Sequence, residues 1–487
     1  MTDQDARHQQ EAVASAFARA ELTAEELWLR YFALGGSLGL FEVEAYLHGV
    51  QQLPGFDRDV VAHVVNERLD ELSWQRRASY SRAIRDVAPR GAPLTALTTL
   101  LEGAELAPPE RLPALVAAAG EALGVRLALY LADYDQRCLW PVPGVLCAEA
   151  GTSALDIETT LAGRAFRRQE MLPAEAGPPR LWVPLLDGAE RLGVLEAEVA
   201  SVSDLYDPGL RTQCHWAALL IGHLVVLMTN YGDGLDVVRH RRTRTVAGEL
   251  IWSVLPPLTA GVDGFVVSGA IEPRHAVAGD AFDYALSEDT ARLLILDAVG
   301  HDLRSGLLAA TAVAAYRAVR HTGGGLYEQA RLIDETLSGT FGDSAYVTAV
   351  LAEVDLSSGR LRYVNAGHPP PRILRAGHVV KPLLAGRRLP LGLGPGREFV
   401  VGEERLQPGD WLVLHSDGIT EARDAAGEFF GEARLADFLE REAAAGYPPP
   451  ETVRRLIQAV SAHQDGRFQD DATVLLARWT DPDRMLP

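Results

Sequence analysis

The sequence predicts a multidomain α+β protein, on three observations. Up to about Ser81 the apolar residues recur at helical spacing, and the middle of the chain mixes helical stretches with strand-like runs. From about Phe265 to Trp479, short hydrophobic strands alternate with helices. With 487 residues and roughly 150 residues per domain, about three domains are expected. The composition shifts divide the chain into an N-terminal helical module (1–88), an α/β domain (105–232), a connector helix (233–257) and a C-terminal domain (258–482).

In the first module, Thr23-Ala24-Glu25-Glu26 has the form of a capping box, followed by Leu27, Tyr31 and Leu34 at helical spacing before Gly35-Gly36. Phe41, Ala45 and the stretch 60–72 continue the pattern. His48 and His63 stand alone on these helices and read as structural. After the junction Pro89-Arg90-Gly91-Ala92-Pro93, the spacing predicts a helix over 113–123, a strand over 125–131 and a helix over 154–169. A hairpin follows, from Leu181-Trp182-Val183-Pro184-Leu185 and Leu192-Gly193-Val194-Leu195-Glu196-Ala197.

This order of helix, strands, a Gly163-Arg164-Ala165-Phe166 helix and an apolar hairpin resembles a GAF domain over about residues 110–230. The resemblance implies a small-molecule ligand or a dimerisation platform. Cys138 or Cys147 could anchor a chromophore, but buried inert thiols are the simpler reading. Beyond it, Val246, Leu250 and Val254 recur at i+4 until Pro256-Pro257, so a long helix carrying the basic run 239–244 is expected to connect sensor to output. Its apolar stripe is the expected packing surface of a homodimer, and the basic run a solvated or partner-facing face.

The formal net charge is -20, from 46 Lys+Arg against 66 Asp+Glu, which repels phosphate backbones and argues against nucleic acid. Three cysteines without a CxxC pair form no disulfide framework and fit a reducing compartment. The N-terminus has no basic n-region followed by an apolar core, and the run 216–228 is shorter than the about 20 apolar residues of a membrane span. A cytoplasmic protein without membrane association is expected.

Four acidic motifs flank strand-like runs in the last segment: Gly279-Asp280-Ala281-Phe282-Asp283-Tyr284, Asp297-Ala298-Val299-Gly300-His301-Asp302, Ser416-Asp417-Gly418, and Asp470-Asp471-Ala472-Thr473. An Asp at a strand end has its backbone fixed by the sheet, and a following Gly permits a sharp turn or close approach. Any one of these is an ordinary turn signal. Four in series suggest carboxylates converging on a cation, and all-oxygen ligands select Mg²⁺ or Mn²⁺ over Zn²⁺. Two such ions can activate water and stabilise in-line displacement at phosphorus.

In combination with Tyr346-Val347-Thr348-Ala349, Asn365-Ala366-Gly367-His368-Pro369-Pro370-Pro371 and Leu389-Pro390-Leu391-Gly392-Leu393-Gly394, the motifs resemble the SpoIIE/RsbU branch of the PPM (PP2C-like) protein serine/threonine phosphatases. The resemblance implies an αββα sandwich with two Mn²⁺ or Mg²⁺ ions between the sheets. It also implies Asp280, Asp297, Asp417 and Asp470 as catalytic metal-binding carboxylates, with Asp297 bridging and the Ala298 carbonyl adding a ligand. Asp471 and Asp283 are the second choices for register. The implied substrate is a phosphorylated STAS-domain anti-anti-sigma factor; the alternative is a catalytically silent ligand-sensing scaffold. Two positions depart from the family pattern, Ala278 and Asp302, the latter suited to capping a helix over 303–320. His301, His368 and His415 receive no catalytic assignment.

Overall fold

The computed structural model describes residues 3–33, 36–74, 91–143, 153–241, 245–272, 279–300, 302–342, 344–393 and 398–480. The chain forms two compact units, Met1–Ala88 and Pro89–Pro487. Ala278, His301, Cys147 and the stretch 242–244 lie outside the described residues.

The first unit is helical: α1 (Asp3–Phe17), α2 (Ala24–Ala33), α3 (Leu40–Leu47) and α4 (Gly55–Trp74). Its core joins Leu27, Tyr31, Val43, Tyr46, Val61 and Val64, all fully buried. The expected capping box opens α2: Glu26 N donates to Thr23 Oγ1 at 3.2 Å and Thr23 N to Glu26 Oε2 at 2.9 Å.

The second unit begins with α5 (Ala92–Ala104) and α6 (Leu112–Leu123). Ala96, Leu100 and Ala104 of α5 belong to the same core as the sheet that follows, so this domain starts about a dozen residues before 105. Its strands are β1 (Arg126–Ala132), β2 (Cys138–Pro141), β3 (Leu155–Asp156), β4 (Leu172–Ala174), β5 (Arg180–Asp187) and β6 (Glu190–Glu198). They pair antiparallel in the order β3-β2-β1-β6-β5-β4. The helix expected over 154–169 is shorter, α7 (Leu161–Arg168), because Asp156 turns the chain by accepting from Glu158 N and Thr159 N and Thr160 then caps the helix.

Helix α8 (Pro208–Thr229) is long and apolar enough to cross a membrane, yet it lies on β5, burying Cys214, Ala218, Ile221 and Val225. A Cβ on Gly222 would stand 2.0 Å from the Leu186 carbonyl, so glycine lets helix and sheet touch here. Burial pushes the Cys214 thiol up to about 11, which keeps it unreactive.

The connector is not one helix. It divides into α9 (Gly234–Arg239) and α10 (Val246–Val254), and Arg239 and Arg241 are engaged on the preceding domain. Arg239 donates to the Ala132 carbonyl and stacks on Tyr134, Arg241 stacks on Trp140, and Thr245 caps the new helix. The buried face of α10 is Ala247, Gly248 and Ile251; Val246 is 79% exposed, and Leu250 and Val254 only half-buried. The Val246/Leu250/Val254 stripe therefore flanks the packing face rather than forming it.

The remaining strands are β7 (Thr259–Val262), β8 (Phe265–Glu272), β9 (Asp280–Leu286), β10 (Thr290–Ala298), β11 (Val347–Asp355), β12 (Arg360–Ala366), β13 (Arg372–Arg375), β14 (His378–Pro382), β15 (Arg387–Arg388), β16 (Gly402–Arg405), β17 (Trp411–His415) and β18 (Ala472–Trp479). One sheet runs β15-β12-β11-β10-β9, with β16 also on β12; the other runs β14-β13-β17-β18-β8-β7. Strand alternation divides the side chains of β18: Leu475, Ala477 and Trp479 face the core between the sheets, while Ala472, Val474 and Leu476 face the outer helices. Helices α11 (Leu303–His321) and α12 (Leu326–Phe341) cover the first sheet. The short α13 (Asp417–Thr420) follows β17, and α14 (Gly431–Ala444) and α15 (Pro449–His463) cover the second sheet. The result is the expected αββα sandwich. Asp302 caps α11 as expected, accepting from Arg304 N at 2.9 Å and Ser305 N at 3.2 Å.

A dry ion cluster fastens the preceding domain to α15. Arg191 donates to Glu451 Oε2 (2.9 Å), Gln136 Oε1 (2.7 Å) and the Pro450 carbonyl (2.9 Å); Arg454 binds both oxygens of Glu451 and reaches Glu158. Beside it, Glu190 accepts from Thr259 N at 2.5 Å, with Arg239 and Arg191 nearby and Asp187 opposing. Burial raises the Glu190 carboxyl to about 7. A carboxyl raised in the folded state gives stability that is complete below its unfolded pKa and is lost as pH rises through about 7. Wild-type unfolding free energy should thus fall between pH 5 and 8 by about 2 kcal/mol more than that of Glu190→Gln, measured by urea denaturation. Equal slopes would show that Glu190 is not held in this state.

Candidate active site

The antiparallel register sets Asp280, the first residue of β9, directly opposite Asp297 near the end of β10. Side chains so paired stand about 5 Å apart at Cβ, and like charges there repel. From the other sheet, Asp417 follows β17 and Asp470-Asp471 precede β18, at the same end of the sandwich. Glycine makes this convergence sterically feasible: a Cβ on Gly418 would lie 2.0 Å from the Asp471 carbonyl. Ser416 stitches the two ends, its Oγ accepting from Thr473 N (3.0 Å) and donating to the Asp471 carbonyl (3.3 Å), while Ser416 N donates to the Thr473 carbonyl (2.9 Å).

Across the gap between sheets, Gly279 N donates to Asp471 Oδ2 at 2.6 Å. Asp471 is buried and engaged by backbone, whereas Asp470 is exposed and accepts from its neighbour's N–H. The Ala298 carbonyl borders the same point, 2.9 Å from where a Gly279 Cβ would stand.

The electrostatics record the crowding. Burial, then Asp297 and Asp471, hold the Asp280 carboxyl well above its usual range. Burial raises Asp297 to about 7, with Asp417, Asp470 and Asp471 adding to it. Asp417 is raised by burial and then by Asp470 and Glu421. Asp280 Oδ2 is buried with no hydrogen-bond partner. All the donors are hard oxygens, and an orphaned carboxylate oxygen amid mutually repelling neighbours fits a divalent cation. Among the described residues, no three acidic, histidine or cysteine side chains are drawn together tightly enough to hold an ion as they stand.

Thus Asp280, Asp297, Ala298, Asp417 and Asp470 meet at one end, with Asp471. Asp283 does not join them: strand alternation turns it to the helix side, where Arg317 and Arg320 of α11 bind it at 2.8–3.0 Å. His368 is a loop residue bonded to Thr348 Oγ1 at 2.8 Å, and burial lowers its ring to about 3. His415 bonds the Ser416 carbonyl and is buried. Sequence reasoning missed the supporting roles of Ser416 and Thr473. Both stand inside quoted motifs, but only the β17–β18 register reveals that they pair.

Residues 287–480 match the protein family described as Stage II sporulation protein E (SpoIIE). The match includes Asp297, Asp417, Asp470 and Asp471 and begins just after Asp280. Protein IcfG of Synechocystis is 26% identical over 273 residues, covering 50% of this chain and 42% of its own. The phosphoserine phosphatase RsbU of Bacillus subtilis is 23% identical over 211 residues, covering 43% of this chain and 62% of its own. Less than two thirds of either relative is thus spanned. Among solved structures, the SiaA-PP2C domain of Pseudomonas aeruginosa aligns with a TM-score of 0.42 and 24% identity, over 48% of this chain and 94% of that one.

Two outcomes follow from the geometry. Gly418→Ala should lower stability by roughly 2–4 kcal/mol, because its methyl meets backbone rather than a movable side chain; an unchanged melting temperature would refute the close approach. Asp297→Asn, without metal at pH 8, should melt at or above the wild-type temperature, because it removes a repelled charge at constant volume. A clear loss of stability would make Asp297 a structural anchor instead.

Proposed function

We propose that this chain, whose C-terminal domain is a PP2C-type phosphatase domain of the SpoIIE family, hydrolyses phosphoserine or phosphothreonine in a protein. The observation that carries the reading is the convergence of Asp280, Asp297, Asp417 and Asp470 from two sheets onto one point, where Asp297 raises the proton affinity of Asp280, Asp417 and Asp470 raise that of Asp297, and Asp470 raises that of Asp417. Asp280, Asp297, Asp417, Asp470 and the Ala298 carbonyl would hold two Mn²⁺ or Mg²⁺ ions. Bound there, such ions supply charge neutralisation for phosphoryl oxygens and an acidified water. The chain's own part is to aim the carboxylates: Gly279 N fixes Asp471, Ser416 fixes the β17–β18 junction, and the 280–297 register fixes the first pair.

The substrate class we propose is a phosphorylated STAS-domain protein, the kind of target that partner switching in bacterial sigma-factor control requires. The GAF-like domain would govern the activity, with a small molecule or a second copy of the chain as its input. The ion cluster at Glu451 supports that coupling, since α15, which it grips, packs on β8 and β18.

Activity on p-nitrophenyl phosphate and on a phosphorylated STAS protein, with Mn²⁺ or Mg²⁺, tests the reading. Asp297→Asn and Asp417→Asn should each lower turnover by at least about 100-fold with the fold retained. Excess chelator should abolish the wild-type rate. Near-wild-type turnover by either variant at saturating Mn²⁺ would overturn the site. An inactive wild type that still binds the phosphoprotein would favour the silent scaffold.

A further inference from the structure

We infer that the far end of the second sheet, remote from the carboxylates, is a binding site for a small molecule bearing a phosphate or carboxylate group. A groove of about 1090 Å³ opens there between the end of β13, the start of β17, the end of β18 and helix α14. Trp411, Phe438 and Tyr447 give it apolar wall, and Arg434, Arg441 and Arg478 give it positive charge.

Arg478 is the decisive residue. Its backbone is locked in the ladder between Trp411 and Val266, and strand alternation turns its side chain to the helix face with Leu476 and Val474. Its Nε is buried without a hydrogen-bond partner, and no ion pair to it is seen among the described residues. Burial lowers its proton affinity with no neighbouring acid to offset the effect. An uncompensated, half-buried guanidinium is costly, and native structures pair such groups.

The acids nearby are otherwise engaged. Asp410 is neutralised by Arg375, which binds it through Nε and Nη2 at 2.7–3.1 Å. Glu440 accepts from Val379 N at 2.8 Å and faces His378 at 3.4 Å. Asp437 is the remaining carboxylate of the lining, against three guanidinium groups. Arg434 and Arg441 use one N–H each on backbone carbonyls, of Phe429 and Asp437, and keep others for a ligand. Planar forks of this kind bind phosphate or carboxylate oxygens in pairs. The groove shares no residue with the acidic cluster, so the inference stands independently of the phosphatase reading.

The test is isothermal titration of the full chain, stripped of metal, with pyrophosphate and separately with citrate. One of the two should bind saturably with Kd below about 1 mM. Arg478→Met should weaken it at least ~10-fold, Arg478→Lys less, and Arg434→Gln measurably. The preferred anion identifies phosphate or carboxylate as the recognised group. Asp297→Asn should leave the affinity unchanged. Without ligand, Arg478→Met should melt no lower than wild type, since it deletes an unpaired charge. Failure of both anions to bind at ~10 mM, or equal binding by Arg478→Met, would overturn the site. So would a loss of binding in Asp297→Asn, which would place the anion at the acidic cluster.

Discussion

The pairing of Asp280 with Asp297 is the constraint around which the C-terminal domain is arranged. Two carboxylates held opposite each other on neighbouring strands are unfavourable by Coulomb's law, and burial makes them more so. The ladder fixes the backbone of both residues, so the strands cannot move apart to relieve this. The surrounding structure answers with neutral donors: the Gly279 N–H takes Asp471, and the hydroxyls of Thr473 and Ser416 lie beside Asp280. No arginine or lysine enters the cluster as a counter-charge among its described neighbours. The contrast with Asp283, three residues along the same strand, is instructive. There two arginines neutralise a buried carboxylate completely, and the site is structural.

Strand parity explains why single strands carry two kinds of chemistry. On β9 it sends Asp280 toward the acidic cluster and Asp283 toward α11. On β17 it buries His415 on the side opposite Ser416, so the imidazole serves packing and the hydroxyl serves the junction. On β18 it sends Thr473 toward Asp280 and Arg478 toward the groove under α14. A one-residue slip in any of these strands would exchange its two faces and dismantle the contacts each face makes.

Much of this was legible in the sequence because it is local. Hydrophobic runs ending in Asp marked the strands, Asp302 marked the start of α11, and Thr23 with Glu26 marked α2. The choice between Asp283 and Asp280 was not legible, since it depends on arginines about four and five turns into a helix that begins some twenty residues later. The connector was misread for a similar reason. Helical spacing at Val246, Leu250 and Val254 is genuine, but Arg239 and Arg241 find aromatic rings and a carbonyl on the neighbouring domain, and Thr245 caps a fresh helix. Tertiary partners outweighed a weak local preference for continuing the helix.

The joint at Arg191 is a further contact set by distant partners. Arg191 and Glu451 are 260 residues apart, and each alone reads as an ordinary surface charge. Folding leaves their side chains 1% and 0% exposed, with Arg454 and Gln136 completing the network. Removing one partner of such a pair strands the other in a dry site, which makes the contact specific for one docking of the two domains. The helix so gripped, α15, packs on β8 and β18, and β18 starts at the residue after Asp471. The preceding domain is thus joined through one helix and one strand to the carboxylates. Close packing transmits displacement along such a chain of rigid elements, whereas a flexible tether would absorb it.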